Sequence, residues 1–152
     1  MVQEFRIVKL RDAPEAATIC AAWLYNEWGH RRSGSSLERP IERFVARAND
    51  IELPIAFVAL SDRHPVGTAS LVATEEPSDT FGPWLGSVYV LPNMRGMGLA
   101  TQLIAAVEEE AKALGFAHIW LSASVPNFCC KLGYQATDHR KHDEPVMVKH
   151  LI

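Results

Sequence analysis

Residues Val88 to Ile104 read VYVLPNMRGMGLATQLI, which predicts a strand, a glycine-spaced loop and the start of a helix. Gly96 and Gly98 let backbone N–H groups approach a ligand, because a Cβ at either position would stand in the way. The helix that follows adds N–H groups without intrahelical acceptors and the positive end of its dipole. The segment therefore predicts an anion site suited to phosphate.

Arg95 adds a permanent positive charge beside this loop, and a guanidinium pairs well with phosphate. The loop lacks the lysine and serine or threonine that follow the glycines of nucleoside triphosphatases. It also lacks the full three-glycine dinucleotide fingerprint and its later acidic residue. The sequence therefore disfavours both of those phosphate-binding classes.

The spacing Arg95-x-x-Gly98-x-Ala100 after Val88–Pro92 resembles the acyl-CoA pyrophosphate loop of the GNAT superfamily of N-acyltransferases. The segment Phe128–Tyr134 resembles that family's late helix-to-strand segment, and Val146–Leu151 resembles its closing strand. With the N-terminal order of strand, helix pair and hairpin, the resemblance spans nearly the whole chain.

The composition is typical of one small soluble domain. With 152 residues, 48% of them hydrophobic, the chain is long enough to bury a core, and we predict a single domain over residues 1–152. A net charge of −3 argues against a nucleic-acid partner. No apolar run reaches the ~20 residues of a membrane span, and no signal-peptide core is present, so we expect a cytoplasmic protein without a membrane partner.

Hydrophobic periodicity predicts the N-terminal elements. We expect a strand from Phe5 to Leu10 and a helix that begins with a capping box at Asp12–Glu15 and ends at Gly29. Its apolar positions are Ile19, Cys20, Trp23, Leu24 and Trp28. A second helix from Ser35 or Ser36 is expected to bury Leu37, Ile41, Phe44 and Val45.

The remaining elements complete an α/β fold. We predict strands at Leu53–Leu60, Val66–Thr74, Trp84–Leu91, Ala117–Ser122, Tyr134–Thr137 and Val146–Leu151, and helices over Leu99–Leu114 and Asn127–Leu132. The expected architecture is a mixed, mostly antiparallel twisted sheet of six to seven strands, with about four helices on both faces. The resemblance implies that its central strands splay apart.

The resemblance implies acetyl-CoA as acyl donor, with its pantetheine arm in the gap between the strand ending at Pro92 and the strand at Ala117–Ser122. A backbone N–H near Tyr89 or Val90 would face the thioester oxygen and stabilise negative charge there. Asn127 would contact the arm or cap the short helix. The implied donor-binding residues are Val88, Tyr89, Val90, Arg95, Gly96, Met97, Gly98, Leu99, Ala100, Thr101 and Asn127.

Two residues are candidates for catalysis. The tyrosine that protonates the leaving CoA sulfur in the family aligns with Cys129, whose thiol can donate a proton at neutral pH or be an ordinary buried side chain. Tyr89 is the second candidate. Gly86 or Ser87 stands where relatives often carry a glutamate base, which leaves Glu27, His30, Tyr89 and His139 as candidate bases.

Two hypotheses compete for the acceptor amine. The resemblance implies that the loop after the first helix borders the acceptor pocket, where Glu27, His30 and Arg31 are the candidate substrate-binding residues. In the first hypothesis, His30, Arg31 and Arg32 hold an acidic acceptor such as an acidic peptide. Glu75, Glu76 and Asp79 would instead attract a polyamine or an aminoglycoside.

We therefore predict an N-acetyltransferase that moves the acetyl group of acetyl-CoA directly to a primary amine of a peptide or small molecule. A non-catalytic acyl-CoA-binding or regulatory module is the alternative. The three cysteines indicate a reducing compartment rather than disulfides, and the scattered histidines predict no metal site. A homodimer is left open.

Overall fold

Seven strands form one sheet in the computed structural model, which describes residues 5–28, 38–74 and 80–152. The strand order is β1-β2-β3-β4-β5-β7-β6, and every neighbouring pair is antiparallel except β4 and β5. The strands are β1 Arg6–Lys9, β2 Ile55–Ser61, β3 His64–Val72, β4 Trp84–Val90, β5 His118–Ser122, β6 Gln135–Lys141 and β7 Glu144–His150.

Helices cover both faces of this sheet over the described residues. They are α1 Ala17–Glu27, α2 Glu38–Val45, α3 Leu99–Ala113 and α4 Pro126–Lys131. These elements confirm the predicted mixed, mostly antiparallel α/β sheet with about four helices. Across the described helices, none combines the length and apolar character needed to cross a membrane.

Strand β2 shows how two cores arise from one apolar run. Ile55, Phe57 and Ala59 pack on the α3 side, whereas Ala56, Val58 and Leu60 pack on the side of α1 and α2. Successive side chains of a strand point to opposite faces, so a strand covered on both faces is apolar throughout. The continuous hydrophobic run at 55–60 therefore reflects a central position in the sheet.

The central strands diverge, as the resemblance implies. Strands β4 and β5 pair at the single position Trp84↔Trp120, after which β4 continues to Val90 without β5 beside it. A bulge shifts the register of β4 against β3 between Thr68 and Ser70, and Ser87 in β4 has a φ of 55°. Since bulges bend a strand and increase its twist, this bulge turns β4 away from β5.

Aromatic rings pack together at the end of the gap where β4 and β5 still pair. Phe81 stacks on Trp120 with 4.4 Å between ring centroids, and Trp84 lies 6.5 Å from Trp120. The ammonium of Lys141 lies 4.2 Å from the centroid of the Trp84 ring. Side chains thus contact one another at the one position where the two backbones pair.

The predicted start of the first helix is wrong. Residues 10–16 form two 3₁₀ turns, in which the N–H of Ala13 donates to the carbonyl of Leu10 and that of Ala16 to Ala13. Helix α1 begins only at Ala17 and has no side-chain cap, so Asp12 does not cap it. The i→i+3 bonds satisfy these carbonyls before the α-helical pattern begins.

Three predicted core positions are also wrong, because Ile19, Trp28 and Val45 are 44%, 42% and 51% exposed. Helix α1 instead buries its small residues, Ala17, Cys20 and Ala21, which allow a close approach to the sheet.

The hairpin of β6 and β7 is longer than predicted. Its polar residues 138–141 belong to β6, which is the edge strand of the sheet, and charged side chains are common at such edges.

Candidate active site

The divergence of β4 and β5 opens a cavity of about 860 Å³ that reaches both faces of the sheet. Helix α2 and the turn after it contribute one wall, and α4 with the end of β5 contributes another. The residues that line this cavity include Arg43, Arg47, Gly86, Ser87, Val88, Ser122, Phe128, Cys129, His142 and Glu144.

The glycine-spaced loop lies at the N-terminus of α3. Gly96 and Gly98 have φ angles of +83° and +78°, and a Cβ built on either would meet no atom within 4 Å. Gly98 is the N-cap of α3, and the N–H of Gln102 donates to its carbonyl at 3.1 Å. The N–H groups before Gln102 in this helix therefore have no intrahelical acceptor and face an open surface.

Arg95 is held across the end of β4. Its Nε donates to the carbonyl of Val90 at 2.9 Å, and its guanidinium lies 5.5 Å from the centroid of the Tyr89 ring. A smaller cavity of about 180 Å³ is lined by Val90, Met94, Arg95, Gly96, Gly98, Leu99, Ala100, Thr101 and Phe128. Because Phe128 lines both cavities, the loop opens toward the large cavity.

The three predicted contacts in β4 are divided between the two faces of the sheet. Val88 lines the large cavity and Val90 the small one. The Tyr89 side chain lies on the α1 face, where its ring stacks on Trp23 with 5.5 Å between centroids. Gly86, Ser87 and Val88, at the bulge, line the large cavity, whereas Tyr89 does not.

Cys129 lies in α4 on the wall of the large cavity, with 9% of its surface exposed. Burial raises the pKa of its thiol above the ordinary value, and the charge of Cys130 raises it further. Cys130 is exposed, and all three cysteines are free thiols. The Cys129 thiol is therefore protonated at neutral pH beside the cavity.

The other predicted site residues either are not among the residues that line the two cavities or lie outside the described residues. Glu27 and Met97 are exposed, and the exposed His139 has its ring 4.7 Å from Phe81. Asn127 is exposed at the second position of α4, and Val125 is the N-cap, so the capping interpretation of Asn127 is wrong. Outside the described residues lie His30, Arg31, Arg32, Glu75, Glu76 and Asp79.

Arg47 is a cavity residue that the sequence analysis missed. Its Nη1 donates to the hydroxyls of Ser70 and Ser87, each at 3.0 Å. Its guanidinium lies 5.1 Å from the centroid of the Phe44 ring. Ser70 is fully buried in β3. A polar residue within an otherwise apolar strand was the feature of the sequence that could have indicated a polar partner here.

His142 and Glu144 were missed as well, although both line the cavity. His142 and Asp143 have φ angles of 51° and 61° and form the turn between β6 and β7. This turn brings a carboxylate and an imidazole to the cavity wall. Within residues 5–28, 38–74 and 80–152, no three histidine, cysteine or acidic side chains are grouped so that they could hold a metal ion.

The chain belongs to the GNAT acetyltransferases, since the model of the "Acetyltransferase (GNAT) family" matches residues 10–134. This match confirms the resemblance seen in the loop and in the segment Phe128–Tyr134. No curated protein matches the chain.

Solved structures share the fold at low sequence identity. An aminoglycoside 6'-N-acetyltransferase complexed with coenzyme A has a TM-score of 0.75 and 18% identity over 97% of each chain. PaiA N-acetyltransferase from Thermoplasma acidophilum, in complex with coenzyme A, has a TM-score of 0.64 and 18% identity, over 97% of this chain and 99% of that one. N-acetylglutamate synthase from Neisseria gonorrhoeae, complexed with coenzyme A and N-acetyl-glutamate, has a TM-score of 0.69 and 12% identity, over 100% of this chain and 36% of that one.

Proposed function

We propose that the protein is an acetyl-CoA-dependent N-acetyltransferase that transfers the acetyl group directly to a primary amine in a ternary complex. The observation that carries this proposal is the open gap between β4 and β5, which connects the glycine-spaced loop with the Cys129 thiol. The structurally similar aminoglycoside 6'-N-acetyltransferase and N-acetylglutamate synthase, both complexed with coenzyme A, support it.

The donor's phosphates would lie against the loop. The N-terminal amides of α3 and the open faces of Gly96 and Gly98 suit an anion there, and Arg95 adds positive charge. Val88 and Val90 are the β4 contacts for the pantetheine arm, and Ala100 and Thr101 lie at the helix start. Acetyl-CoA supplies an acyl thioester, whose oxygen would face the backbone N–H groups of the β4 bulge.

Side chains on the cavity wall would remove the proton of the amine and protonate the leaving sulfur. The acceptor amine must be neutral to form the new C–N bond, and Glu144 or His142 can take its proton directly or through water. The Cys129 thiol can give a proton to the sulfur as the C–S bond breaks. Both groups lie on the same cavity as the bulge, and no covalent bond to the protein is required.

An amine panel with acetyl-CoA tests this proposal. We expect spermidine, an aminoglycoside, amino acids or an acidic peptide to give amine-dependent release of CoA thiol, with the acetyl group recovered on nitrogen. Reactions without amine and reactions with Gly98→Val protein are the controls. Tight CoA binding without thiol release for any amine would instead identify the non-catalytic acyl-CoA-binding module.

A further inference from the structure

We propose that Arg47 is a positioning residue for acyl transfer, and that it holds the β4 bulge at Ser87 and Val88 in one conformation. This inference rests on the proposed acetyl transfer, in which the thioester oxygen would face backbone N–H groups of this bulge. Such donors stabilise developing charge best when they are already oriented before the reaction begins. A side chain that fixes the bulge therefore contributes to the rate without contacting either substrate.

The bulge leaves two residues of β4 outside the regular pairing of the sheet. The register of β4 against β3 shifts between Thr68 and Ser70, where β3 has one residue and β4 has two, Ser87 and Val88. On the other side of β4, strand β5 pairs only with Trp84. Strands β3 and β5 are described in full, and neither contains a register partner for the two bulged residues. Strand pairing therefore does not fix their conformation.

The backbone of Ser87 also has a conformation that needs support. Its φ of 55° lies in the left-handed region, where the Cβ of an L-residue is crowded by the neighbouring backbone. Glycine adopts this region without that crowding, but serine does not. Such a residue keeps its conformation only where surrounding contacts hold it.

One nitrogen of Arg47 supplies such a contact. Nη1 donates to the hydroxyls of Ser87 and Ser70, each at 3.0 Å. Ser70 is fully buried in β3 and pairs with Gly86 at the edge of the bulge. Arg47 therefore links Ser87 to the strand from which the bulge has removed it.

The position of Arg47 is itself fixed. Its N–H donates to the carbonyl of Phe44 at 2.9 Å, and its carbonyl accepts from the N–H of Ala56 at 3.0 Å. The guanidinium lies 5.1 Å from the centroid of the Phe44 ring, which is buried. These contacts tie Arg47 to α2 and to β2. A positioning role does not require a free guanidinium, because any further contact would fix the side chain more firmly.

Infrared spectroscopy of bound acetyl-CoA, labelled with ¹³C at the thioester carbonyl, tests the inference. The spectra are recorded without an amine, so that contacts with an acceptor cannot contribute. In the wild-type protein we expect the carbonyl band at a lower frequency than in free acetyl-CoA, because oriented hydrogen-bond donors polarise the carbonyl. In Arg47→Met protein the band should broaden and return toward the free position. Its kcat should fall by about 10- to 100-fold with little change in acetyl-CoA affinity, as for a misplaced reacting group.

Further variants identify the contact and control for charge. Ser87→Ala removes the hydroxyl, so it should move the band and kcat in the same direction as Arg47→Met. Because both changes break one contact, the double variant should lose no more activity than Arg47→Met alone. Arg63→Met, in the exposed turn between β2 and β3, has the same change in net charge and should keep the wild-type band.

The outcomes separate this inference from the proposed function. With normal acetyl-CoA binding, a wild-type band at the free position, or an unchanged band in Arg47→Met or Ser87→Ala protein, overturns the inference and leaves the acetyltransferase proposal intact. The expected bands in a protein that releases no CoA thiol with any amine overturn the proposed acetyl transfer, while the fixed bulge stands. A wild-type protein that does not bind acetyl-CoA overturns both. Ser87→Ala decides the question if Arg47→Met protein does not fold.

Discussion

Cys129 stands where the family resemblance implies a proton-donating tyrosine, and its thiol lies on the wall of the large cavity. If it protonates the leaving sulfur, Cys129→Ala should lower kcat by ~10²–10⁴-fold with little change in acetyl-CoA affinity. Cys130→Ala is the matched control, because Cys130 is adjacent but exposed, and its kcat should stay near the wild-type value. Steady-state kinetics with both variants measures this difference.

The pH dependence gives a second check on Cys129. Burial, and then the charge of Cys130, raises the pKa of the thiol, so the proton-donating form persists through neutral pH and is lost only as pH rises through that raised pKa. The basic limb of the wild-type kcat profile should therefore lie above the ordinary thiol pKa of about 8.5. An alanine variant with wild-type kcat and an unchanged basic limb would show that the CoA thiolate leaves unaided.

Glu144 has a carboxylate on the cavity wall that can take the proton of the attacking amine. We expect Glu144→Gln to lower kcat at neutral pH by ~10²-fold, and high pH to restore part of the loss because more of the free amine is then neutral. Asp143→Asn, in the adjacent exposed turn, should have a wild-type profile. A Glu144→Gln profile identical to that of the wild-type enzyme would leave His142 as the proton acceptor on this wall.

At the scale of single elements, α3 has a left-handed glycine at each end. Gly98 and Gly115 have φ angles of +78° and +92°, and a Cβ on either meets no atom within 4 Å. Alanine at either position should lower the free energy of unfolding by about 1–2 kcal/mol through backbone strain alone. Gly98→Ala should in addition weaken CoA binding, because its methyl group stands over the loop amides. Calorimetry showing unchanged CoA affinity for both variants would contradict the assignment of the loop.

Glu108 links α3 to the segment after α4 and to β7. Its carboxylate accepts from the Tyr134 hydroxyl at 2.8 Å and pairs with the Lys149 ammonium at 3.0 Å. Burial and the charge of Glu108 raise the pKa of Tyr134, so the hydroxyl stays protonated as a donor. Glu108→Ala leaves this hydroxyl buried without its acceptor and should cost about 1–3 kcal/mol in urea unfolding. Glu109→Ala, on the exposed side of the same helix, should cost under about 0.5 kcal/mol.

Elements with a strong periodic pattern were predictable from the sequence. The helix after the glycine loop buries Leu99, Leu103 and Val107 as its spacing indicates, and the buried strands were found where apolar runs occur. The polar edge strand β6 could not be found in this way, because only one side of it has a neighbouring strand and its side chains are mostly exposed. The 3₁₀ turns before α1 reflect tertiary packing of Leu10, Ala13 and Ala16, which local preferences do not encode.

The residues of the candidate site also fall into those that were predictable from the sequence and those that were not. The loop around Gly98 is contiguous in sequence and was recognisable from spacing alone. Arg47 was not, because its two hydroxyl partners are 23 and 40 residues away and meet it only in the folded sheet. A cytoplasmic location, a single domain and a homodimer stay predictions from the sequence.

For the whole molecule, donor binding should be coupled to stability. A ligand that binds only the folded state at 100 times its Kd adds about 2.7 kcal/mol, which raises Tm by about 5–10 °C in a protein of this size. CoA should produce this shift in a thermal melt and should slow amide exchange in residues 85–90 and 121–125. Gly98→Val protein should show neither effect. A wild-type Tm unchanged at saturating CoA would contradict donor binding in this gap.

Strands β4 and β5 share a single backbone pair, between Trp84 and Trp120. The two halves of the sheet can therefore rotate relative to each other about this pair, the pivot, which lies at the aromatic rings. From Trp84 to Val90, β4 extends six residues beyond the pivot, roughly 20 Å. A rotation of about 5° between the two halves of the sheet would change the width of the far end by about 1.7 Å for that strand length. Phe81 stacks on Trp120 at the pivot, and we expect Phe81→Ala to loosen this end and so to change the width of a gap whose other end lies beside the glycine loop.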